Sequence, residues 1–287
     1  MDTIRNPIEW SADHLKQAKQ AVDAAGGSLR GTESPRATLP AVRRISVADL
    51  KDVLRKGLED FGAYRTDVVF LCLVYPVIGL VLARAAFHYD FLPLLFPIAS
   101  GFALIGPVAA IGLYEMSRRR ERGETSSWAH AFGMVGAPAF GAILVLGLLL
   151  LAIFLLWLAA AQAIYWATLG PEAPASIESF LRDVLTTGAG WTMIALGVGV
   201  GFLFALAVLA ISVVSFPLLL DRDVGLGAAI GTSVRAVIAN PGPMAVWGSI
   251  VAGGLVLGSI PLFLGLIVVM PVLGHATWHL YRKVVPR

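Results

Sequence analysis

Charged residues are scarce in this chain, and their scarcity excludes an ordinary soluble domain. Asp, Glu, Lys and Arg make up 14% of the 287 residues and hydrophobic residues make up 57%, whereas soluble proteins carry about 25% charged residues. The mean hydropathy is +0.77. The charges that are present gather near the start of the chain and in a few short clusters, with long apolar runs between them. The composition therefore predicts an integral membrane protein.

Cysteine and catalytic motifs are also nearly absent. Cys72 is the single cysteine, which excludes an intramolecular disulfide. The opening stretch, M-D-T-I-R-N-P-I-E-W, lacks the apolar core of a signal peptide, so we expect no cleaved signal. No phosphate-binding loop, nucleophile elbow or zinc motif appears in the sequence. We therefore expect no catalytic residue, no cofactor and no metal, and hence no enzyme.

Long apolar runs are abundant, and six of them can each cross about 30 Å of hydrocarbon, which takes roughly 20 residues. The six runs cover residues 67–87, 92–117, 137–166, 189–217, 243–259 and 261–281. They predict an all-α, polytopic membrane protein, a bundle of six transmembrane helices whose last two form a tight hairpin.

Basic residues cluster on one side of the predicted spans. They precede the first span, follow the second as R-R-R-E-R at 118–122, and follow the fourth and the sixth. The loops on the other side are poor in Lys and Arg. The positive-inside rule then places both termini in the cytoplasm.

The second and sixth spans end alike, which indicates an internal repeat. The alignment without a gap pairs Pro107 with Pro271, Tyr114 with Trp278, and Arg118 with Arg282. The pattern predicts three units, each a cytoplasmic amphipathic helix followed by two spans, over residues 45–118, 122–217 and 222–283. Because each unit has an even number of spans, the repeats would be parallel.

The first unit opens with a predicted amphipathic helix over 45–61. Ser46 and Asp49 have the spacing of a capping box at its start. Six apolar residues fall on one face of this helix, namely Val47, Leu50, Val53, Leu54, Leu58 and Phe61.

Residues 1–44 differ in kind and are predicted to be a cytoplasmic arm, a short helix plus a flexible linker, attached to a transmembrane domain over 45–287. A short helix on a tether cannot bury a core alone. We therefore expect it to dock through Ile4, Ile8 and Trp10 on this protein, on lipid headgroups or on a partner.

Small residues recur at helical spacing in two spans. Gly197 and Gly201 in the fourth span, and Gly254 and Gly258 in the fifth, match the small-xxx-small pattern that lets helix backbones approach in lipid. These positions are candidates for close packing within the bundle or for contact with another membrane protein or lipid.

Three prolines fall inside predicted spans, at Pro76, Pro107 and Pro271. Each is expected to kink its helix and free a backbone carbonyl. Such kinks line the cavities of transporters, but they also occur in passive bundles.

The last span carries two histidines, His275 and His279, at the i, i+4 spacing of metal and haem ligands. Neither has an obvious histidine partner at the same depth. The favoured interpretation is a pair of interfacial polar residues at a helix end, and a metal or haem site and a proton-linked role are the weaker alternatives.

Several stretches resemble one known family. A-Y-R-T-D-V-V-F-L, F-A-L-I-G-P-V-A-A-I-G-L-Y-E-M-S-R-R-R-E and H-A-T-W-H-L-Y-R-K resemble a bacterial, mostly alphaproteobacterial family of predicted integral membrane proteins of unknown function, domain of unknown function 2189. The resemblance covers roughly residues 42–285. It implies a multi-pass protein of the bacterial inner membrane and assigns no functional residue.

These features favour a non-enzymatic accessory or scaffold subunit that associates with another membrane protein complex or with lipid. The alternative is a transporter or lipid-handling protein with a cavity between the three helix pairs. Membrane lipids and an integral membrane protein are the expected partners, and nucleic acid is not.

Overall fold

The computed structural model describes residues 39–72, 89–124, 139–261 and 263–287. All regular structure in that part of the chain is helical, which confirms the all-α expectation. The helices, numbered here in chain order, are α1 Val47–Cys72, a 3₁₀ helix Tyr89–Leu94, α2 Leu95–Ala109, α3 Ile111–Glu121, α4 Phe140–Thr168, α5 Ile177–Thr186, α6 Gly188–Ser212, α7 Ser215–Asp221, α8 Leu226–Ala239, α9 Pro241–Ser259 and α10 Leu266–Val284.

Among the described residues, three helical stretches are long and apolar enough to cross a membrane: Phe140–Thr168, Gly188–Asp221 and Pro241–Ser259. They coincide with the third, fourth and fifth predicted spans. Most of the first predicted span lies outside the described residues. The number six therefore stays a prediction, as does the threefold repeat.

The sixth predicted span begins later than the sequence suggests. Residues 260–261 and 263–265 are turn residues, Phe263 has a positive φ of 65°, and α10 starts only at Leu266. The close contact of Gly258 with Gly265 brings α9 and α10 together at this turn, because a Cβ on Gly265 would lie 2.7 Å from the Gly258 Cα atom.

The predicted capping box is confirmed at the start of α1. The Ser46 backbone N–H donates to Asp49 Oδ2 at 2.8 Å, and the Asp49 N–H donates to Ser46 Oγ at 3.4 Å. These bonds and the nearby Lys283 ammonium lower the pKa of Asp49 to about 2. Non-helical angles at Tyr64 then interrupt α1, close to the predicted boundary between the amphipathic segment and the first span.

Only part of the predicted apolar face of α1 is covered by the protein. Leu50 and Val53 are buried, but Val47 is 51% exposed and Leu58 is 57% exposed. Val47 is the first helical residue, and Leu58 points away from α10, which covers only a narrow strip of α1. Periodicity predicts which residues share a face, but it does not give the width of the part that a neighbouring helix covers.

α1 and α10 approach each other most closely at Gly57. A Cβ at this position would lie 2.7 Å from the Ala276 Cβ and 2.8 Å from the Val272 carbonyl oxygen. The two backbones are therefore in contact, and no side chain larger than hydrogen fits between them without movement.

The residues that precede α1 are fastened to the bundle by a buried asparagine. Asn240, at the junction of α8 and α9, accepts a hydrogen bond from the Ile45 N–H at 2.7 Å and donates to the Arg43 carbonyl at 3.1 Å. The Arg43 N–H donates to the Val284 carbonyl at 2.7 Å. The last residues of the predicted arm thus lie against the ends of α8 and α10.

The apolar helices α2, α4 and α6 meet at one tryptophan. The Trp157 indole N–H donates to the Pro97 carbonyl at 3.1 Å, and its ring lies 5.7 Å from that of Phe204. A Cβ on Gly201 would come within 3.0 Å of the same indole. Trp157 therefore joins three helices through one polar contact and a large apolar surface.

We expect Gly57→Ala to destabilise the protein by about 1–3 kcal/mol, because the added methyl group must push α1 away from α10. Gly62 lies on the same helix, and a Cβ added to it would have no atom within 4 Å, so Gly62→Ala should be neutral or stabilising by up to about 1 kcal/mol. Thermal unfolding in detergent measures both, and equal effects would contradict the described contact.

Candidate functional site: a buried polar network and an arginine cavity

Three helices end together at one end of the bundle. The chain leaves α3 through Arg118–Arg122, α7 through Asp221 and Arg222, and α10 through Arg282 and Lys283. We call this the basic end. Cations are favoured near helix C-termini, where the unpaired carbonyls carry partial negative charge, so the sequence places arginines where the helix ends meet.

A buried network of polar side chains joins α1, α3 and α10 next to the basic end. We call Asp60, Ser117, Arg120, His275 and His279 the polar network. Ser117 Oγ donates to Asp60 Oδ2 at 2.6 Å and lies 2.8 Å from His275 Nδ1. His279 Nε2 lies 2.8 Å from Asp60 Oδ2, and Arg120 donates to Asp60 Oδ1 at 2.5 Å. One carboxylate therefore holds three donors from two other helices.

These contacts keep Asp60 ionised although it is buried. Burial opposes the charged form, but hydrogen bonds from His279 and Ser117 outweigh that effect, so the pKa of the Asp60 carboxyl is lowered. A buried carboxylate with several donors is stable only while those donors stay in place. The network therefore fixes the positions of α1, α3 and α10 relative to one another.

The network contains the residue types of a hydrolase triad in a different order. Ser117 gives its single hydroxyl proton to Asp60, so His275 Nδ1 is the donor in the contact with Ser117. A serine nucleophile needs the reverse, with the hydroxyl proton directed at the imidazole. Ser117 is also only 1% exposed and His275 is fully buried.

The two histidines lie near the end of α10, as the sequence predicts, and both are held within the protein; their depth in the membrane stays a prediction. His275 is enclosed by protein, and His279 is largely covered and bound to Asp60. They share one face of α10, as their spacing predicts, but that face lies against α1 and α3. Within the described ranges, no group of three or more His, Cys, Asp or Glu side chains is arranged to hold a metal ion.

A second buried carboxylate, Glu115, lies about half a turn before Ser117 on α3. Its oxygens lie 2.7 Å from Arg118 Nε and 2.8 Å from Arg119 Nε. Arg118 also donates to the Leu220 carbonyl at 2.9 Å, which ties α3 to the end of α7. Asp60 and Glu115 thus carry buried negative charges, each matched by arginines of α3.

Beside the polar network, the basic end has an open cavity of about 350 Å³. It opens between the ends of α3, α7 and α10, and we call it the arginine cavity. Its lining consists of five arginines and two carboxylates, namely Arg118, Arg122, Arg222, Arg282, Arg287, Glu121 and Asp221.

Arg282 is the central side chain of the cavity wall. It binds Glu121 Oε1 through Nε and Nη2, at 3.1 and 3.0 Å, and Asp221 Oδ2 through Nη1 at 3.0 Å. Its guanidinium carbon lies 5.9 Å from the ring centroids of both Trp278 and Tyr281, within cation–π range. Arg282 is therefore held by two carboxylates and two aromatic rings.

The two aromatic residues also fix the carboxylates. Trp278 donates to Glu121 Oε2 at 3.1 Å, and Tyr281 donates to Asp221 Oδ2 at 2.7 Å. Burial opposes ionisation of Glu121, but hydrogen bonds from Arg282 and Arg287 lower the pKa of its carboxyl below the ordinary value. The wall of the cavity is thus a connected and charged hydrogen-bond network.

The glycine pairs face different surroundings. Gly254 and Gly258 lie against α10, since added Cβ atoms would meet Val269 at 3.2 Å and Leu266 at 2.7 Å, respectively. Gly201 faces Trp157, whereas a Cβ on Gly197 would have no atom within 4 Å. Of these candidates, only Gly197 is open to the surroundings.

The remaining candidates are divided between described and undescribed residues. Pro107 lies near the end of α2, and the helix is interrupted at Ala110 before α3 begins. Pro271 lies inside α10, which continues through it. The arm anchors and the first proline, Ile4, Ile8, Trp10 and Pro76, lie outside the described residues.

Asp60 and Ser117 belong to the site but had not been singled out from the sequence. Both occur in charged or polar surroundings near predicted helix ends, where such residues are common. The repeat alignment did contain a signal for the cavity. It pairs Arg118 with Arg282, and both residues line the same cavity.

We expect Ser117→Ala to destabilise the protein by about 1–3 kcal/mol, because Asp60 and His275 each lose a buried hydrogen bond. Ser249 is exposed and its hydroxyl bonds only to the Ala245 carbonyl of its own helix. Ser249→Ala should therefore change stability by less than about 0.5 kcal/mol. Thermal unfolding of both variants in the same detergent makes the comparison, and a Ser117→Ala variant as stable as wild type would refute the role of the network.

Comparison with known proteins agrees with the membrane assignment. A model of the family described as "Predicted integral membrane protein (DUF2189)" matches residues 95–221, which span α2 to α7 and include Ser117, Glu121 and Asp221. No curated protein and no solved structure matches the chain. Over this central region, the chain is similar to a family of predicted integral membrane proteins, and its own apolar helices are those of a membrane protein.

Proposed function

We propose that this chain is a non-enzymatic accessory or scaffold protein of the bacterial inner membrane that binds another integral membrane protein through α6. The proposal rests chiefly on one observation. The stretch Gly188–Asp221 is strongly apolar, yet only 6% of its most apolar window is buried within the protein.

The outward side of α6 combines bulky and minimal side chains. Phe202 and Leu203 are 64% and 62% exposed, and Leu206 is exposed as well. Gly199, three and four residues before the first two, has no atom within 4 Å of an added Cβ. We call Gly199, Phe202, Leu203 and Leu206 the α6 surface, because their spacing puts them on one helix face.

Glycine at an open helix position calls for an explanation. It destabilises a helix by about 0.8–1.0 kcal/mol relative to alanine. Contact with lipid chains does not compensate for this loss of stability. Contact with a second helix does compensate, because glycine lets two helix backbones approach closely in a membrane. Gly197 and Gly199 make no such contact within the described chain, so a neighbouring membrane protein is the occupant that fits.

The basic end supports the proposed orientation. Its arginines would face the cytoplasm under the positive-inside rule, and α1, whose first half is amphipathic, begins beside Lys283 on the same end. Both termini would then be cytoplasmic. The arginine cavity also lies at this end.

The buried polar groups support a non-enzymatic role. Ser117 is hydrogen-bonded to both Asp60 and His275 inside the protein, and His275 Nε2 is buried without a partner among the described residues. If one of these side chains left its hydrogen bonds to take part in a reaction, its partners would lose their own hydrogen bonds. Their arrangement suits a permanent clasp between helices better than a reaction centre.

The test is isolation of tagged protein from its native membranes in a mild detergent, with mass spectrometry of the co-purifying proteins. We expect an integral membrane protein in stoichiometric amount. Gly199→Leu should remove it, because the new side chain separates the backbones. Gly253→Leu is the matched control, since Gly253 is an equally open glycine on α9 and its substitution should leave the complex intact.

Two results would overturn the proposal. The protein could purify alone from native membranes at its monomer mass, or Gly199→Leu could retain the same partner as wild type. A small molecule bound in excess to the lone protein would favour the transporter or lipid-handling alternative.

A further inference from the structure

We propose that the arginine cavity binds a phosphate group, supplied by the headgroup of an anionic phospholipid. The inference concerns a ligand site separate from the α6 surface. It stands on the charge of the cavity, on two arginines with unused donors, and on the position of the cavity along the longest apolar stretch.

The cavity carries excess positive charge. Five arginines face two carboxylates, and the ends of α3, α7 and α10 add roughly half a negative charge each. Arg118 is also paired with Glu115, which leaves an excess of two positive charges. The three helix ends offset about 1.5 of these charges, so a small positive excess remains.

The arginines differ in how many of their donors are engaged. Arg282 and Arg118 use their guanidinium groups on carboxylates and on a carbonyl within the protein. Arg122 lies 3.8 Å from Asp221 Oδ1, which is beyond hydrogen-bond distance. Its side chain is 47% exposed at the mouth of the cavity.

Arg222 is the second arginine with donors to spare. One of its amino groups donates to the Pro286 carbonyl, while its Nε stays 4.0 Å from Asp221 Oδ2. Arg122 and Arg222 thus present guanidinium N–H groups to the same space. Guanidinium groups bind phosphate oxygens through pairs of parallel hydrogen bonds, and both of these side chains line the cavity.

The position of the cavity favours a lipid as the source of the phosphate. Within the apolar stretch Gly188–Asp221, α6 alone has 25 residues, which corresponds to about 38 Å of helix, and α7 then continues to Asp221. A bilayer is about 30 Å thick in its hydrocarbon and about 40–45 Å including the headgroups. Asp221, which terminates this stretch and lines the cavity, therefore lies at headgroup level. A volume of about 350 Å³ is at the small end of the range of ligand sites and suits a headgroup.

The experiment measures lipid binding to the purified full-length protein. Wild type in a neutral detergent is mixed with phosphatidylglycerol, with zwitterionic phosphatidylcholine, or with inorganic phosphate at matched ionic strength. Native mass spectrometry counts the retained lipids, and thermal unfolding measures the stabilisation. We expect phosphatidylglycerol to be retained and to raise the unfolding temperature more than phosphatidylcholine does, with an effect that weakens as salt is added.

The decisive variant is Arg122→Gln/Arg222→Gln, for which we expect at least a tenfold loss of affinity for phosphatidylglycerol. The matched control is Arg44→Gln/Lys51→Gln, because both residues are exposed and lie before or within α1, away from the cavity lining. It removes the same charge and should bind as wild type. Arg122→Gln alone retains the Arg222 contact with Pro286, so it tests the site even if the double variant unfolds.

Three outcomes decide the proposal. Equal losses in the cavity and control variants would overturn it, since they would show attraction to net charge without a site. Unchanged lipid binding by Arg122→Gln/Arg222→Gln would overturn it as well. Equal stabilisation of wild type by inorganic phosphate and by phosphatidylglycerol would support the phosphate chemistry and overturn the lipid source. Because Gly199→Leu leaves the cavity intact, failure of the partner proposal is distinguishable from failure of this one.

Discussion

The Asp60 carboxylate is the constraint on which the basic end of this protein depends. A buried charge is tolerated only when hydrogen-bond donors surround it, and Asp60 takes its donors from Ser117 and Arg120 of α3 and from His279 of α10. The three helices must therefore be assembled together. Gly57 permits the approach, since α1 and α10 touch there through their backbones.

The protein consequently has two parts that differ in polarity and in burial. At the basic end, Trp278, Tyr281 and His275 are fully enclosed, and carboxylates and arginines form a continuous network. Along α6, apolar side chains are mostly uncovered. A rigid polar end and an open apolar surface suit a protein that is held at the membrane surface on one side and makes helix contacts within the membrane. The proposed phosphate site and the proposed partner surface use these two parts separately.

The sequence predicts the local features of this fold well. Composition gives the membrane class, periodicity gives the helices, and the i, i+3 spacing of Ser46 and Asp49 gives the start of α1. The paired positions Arg118 and Arg282 even indicate which helix ends meet, although the repeat itself stays a prediction. These features depend on residues close in the chain or on one repeated pattern.

The features that the sequence does not predict depend on contacts between distant segments. Nothing near His275 or His279 shows that Asp60, more than two hundred residues earlier, will bind one of them. Without that partner, a histidine near a helix end looks interfacial. Likewise, the pattern that places Leu58 on an apolar face cannot show that α10 covers only part of that face. Hydrophobic periodicity shows which side of a helix can be buried, and the neighbouring helix decides how much of it is.

A double-mutant cycle on Asp60 and His279 tests the central claim most directly. The unfolding free energies of wild type, Asp60→Ala, His279→Ala and the double variant are measured in one detergent. If Asp60 clasps α10 to α1, the two substitutions should be non-additive by about 1–3 kcal/mol, since each single variant already breaks the shared contact. Additive effects would show that the two residues act independently and would contradict the account of the polar network.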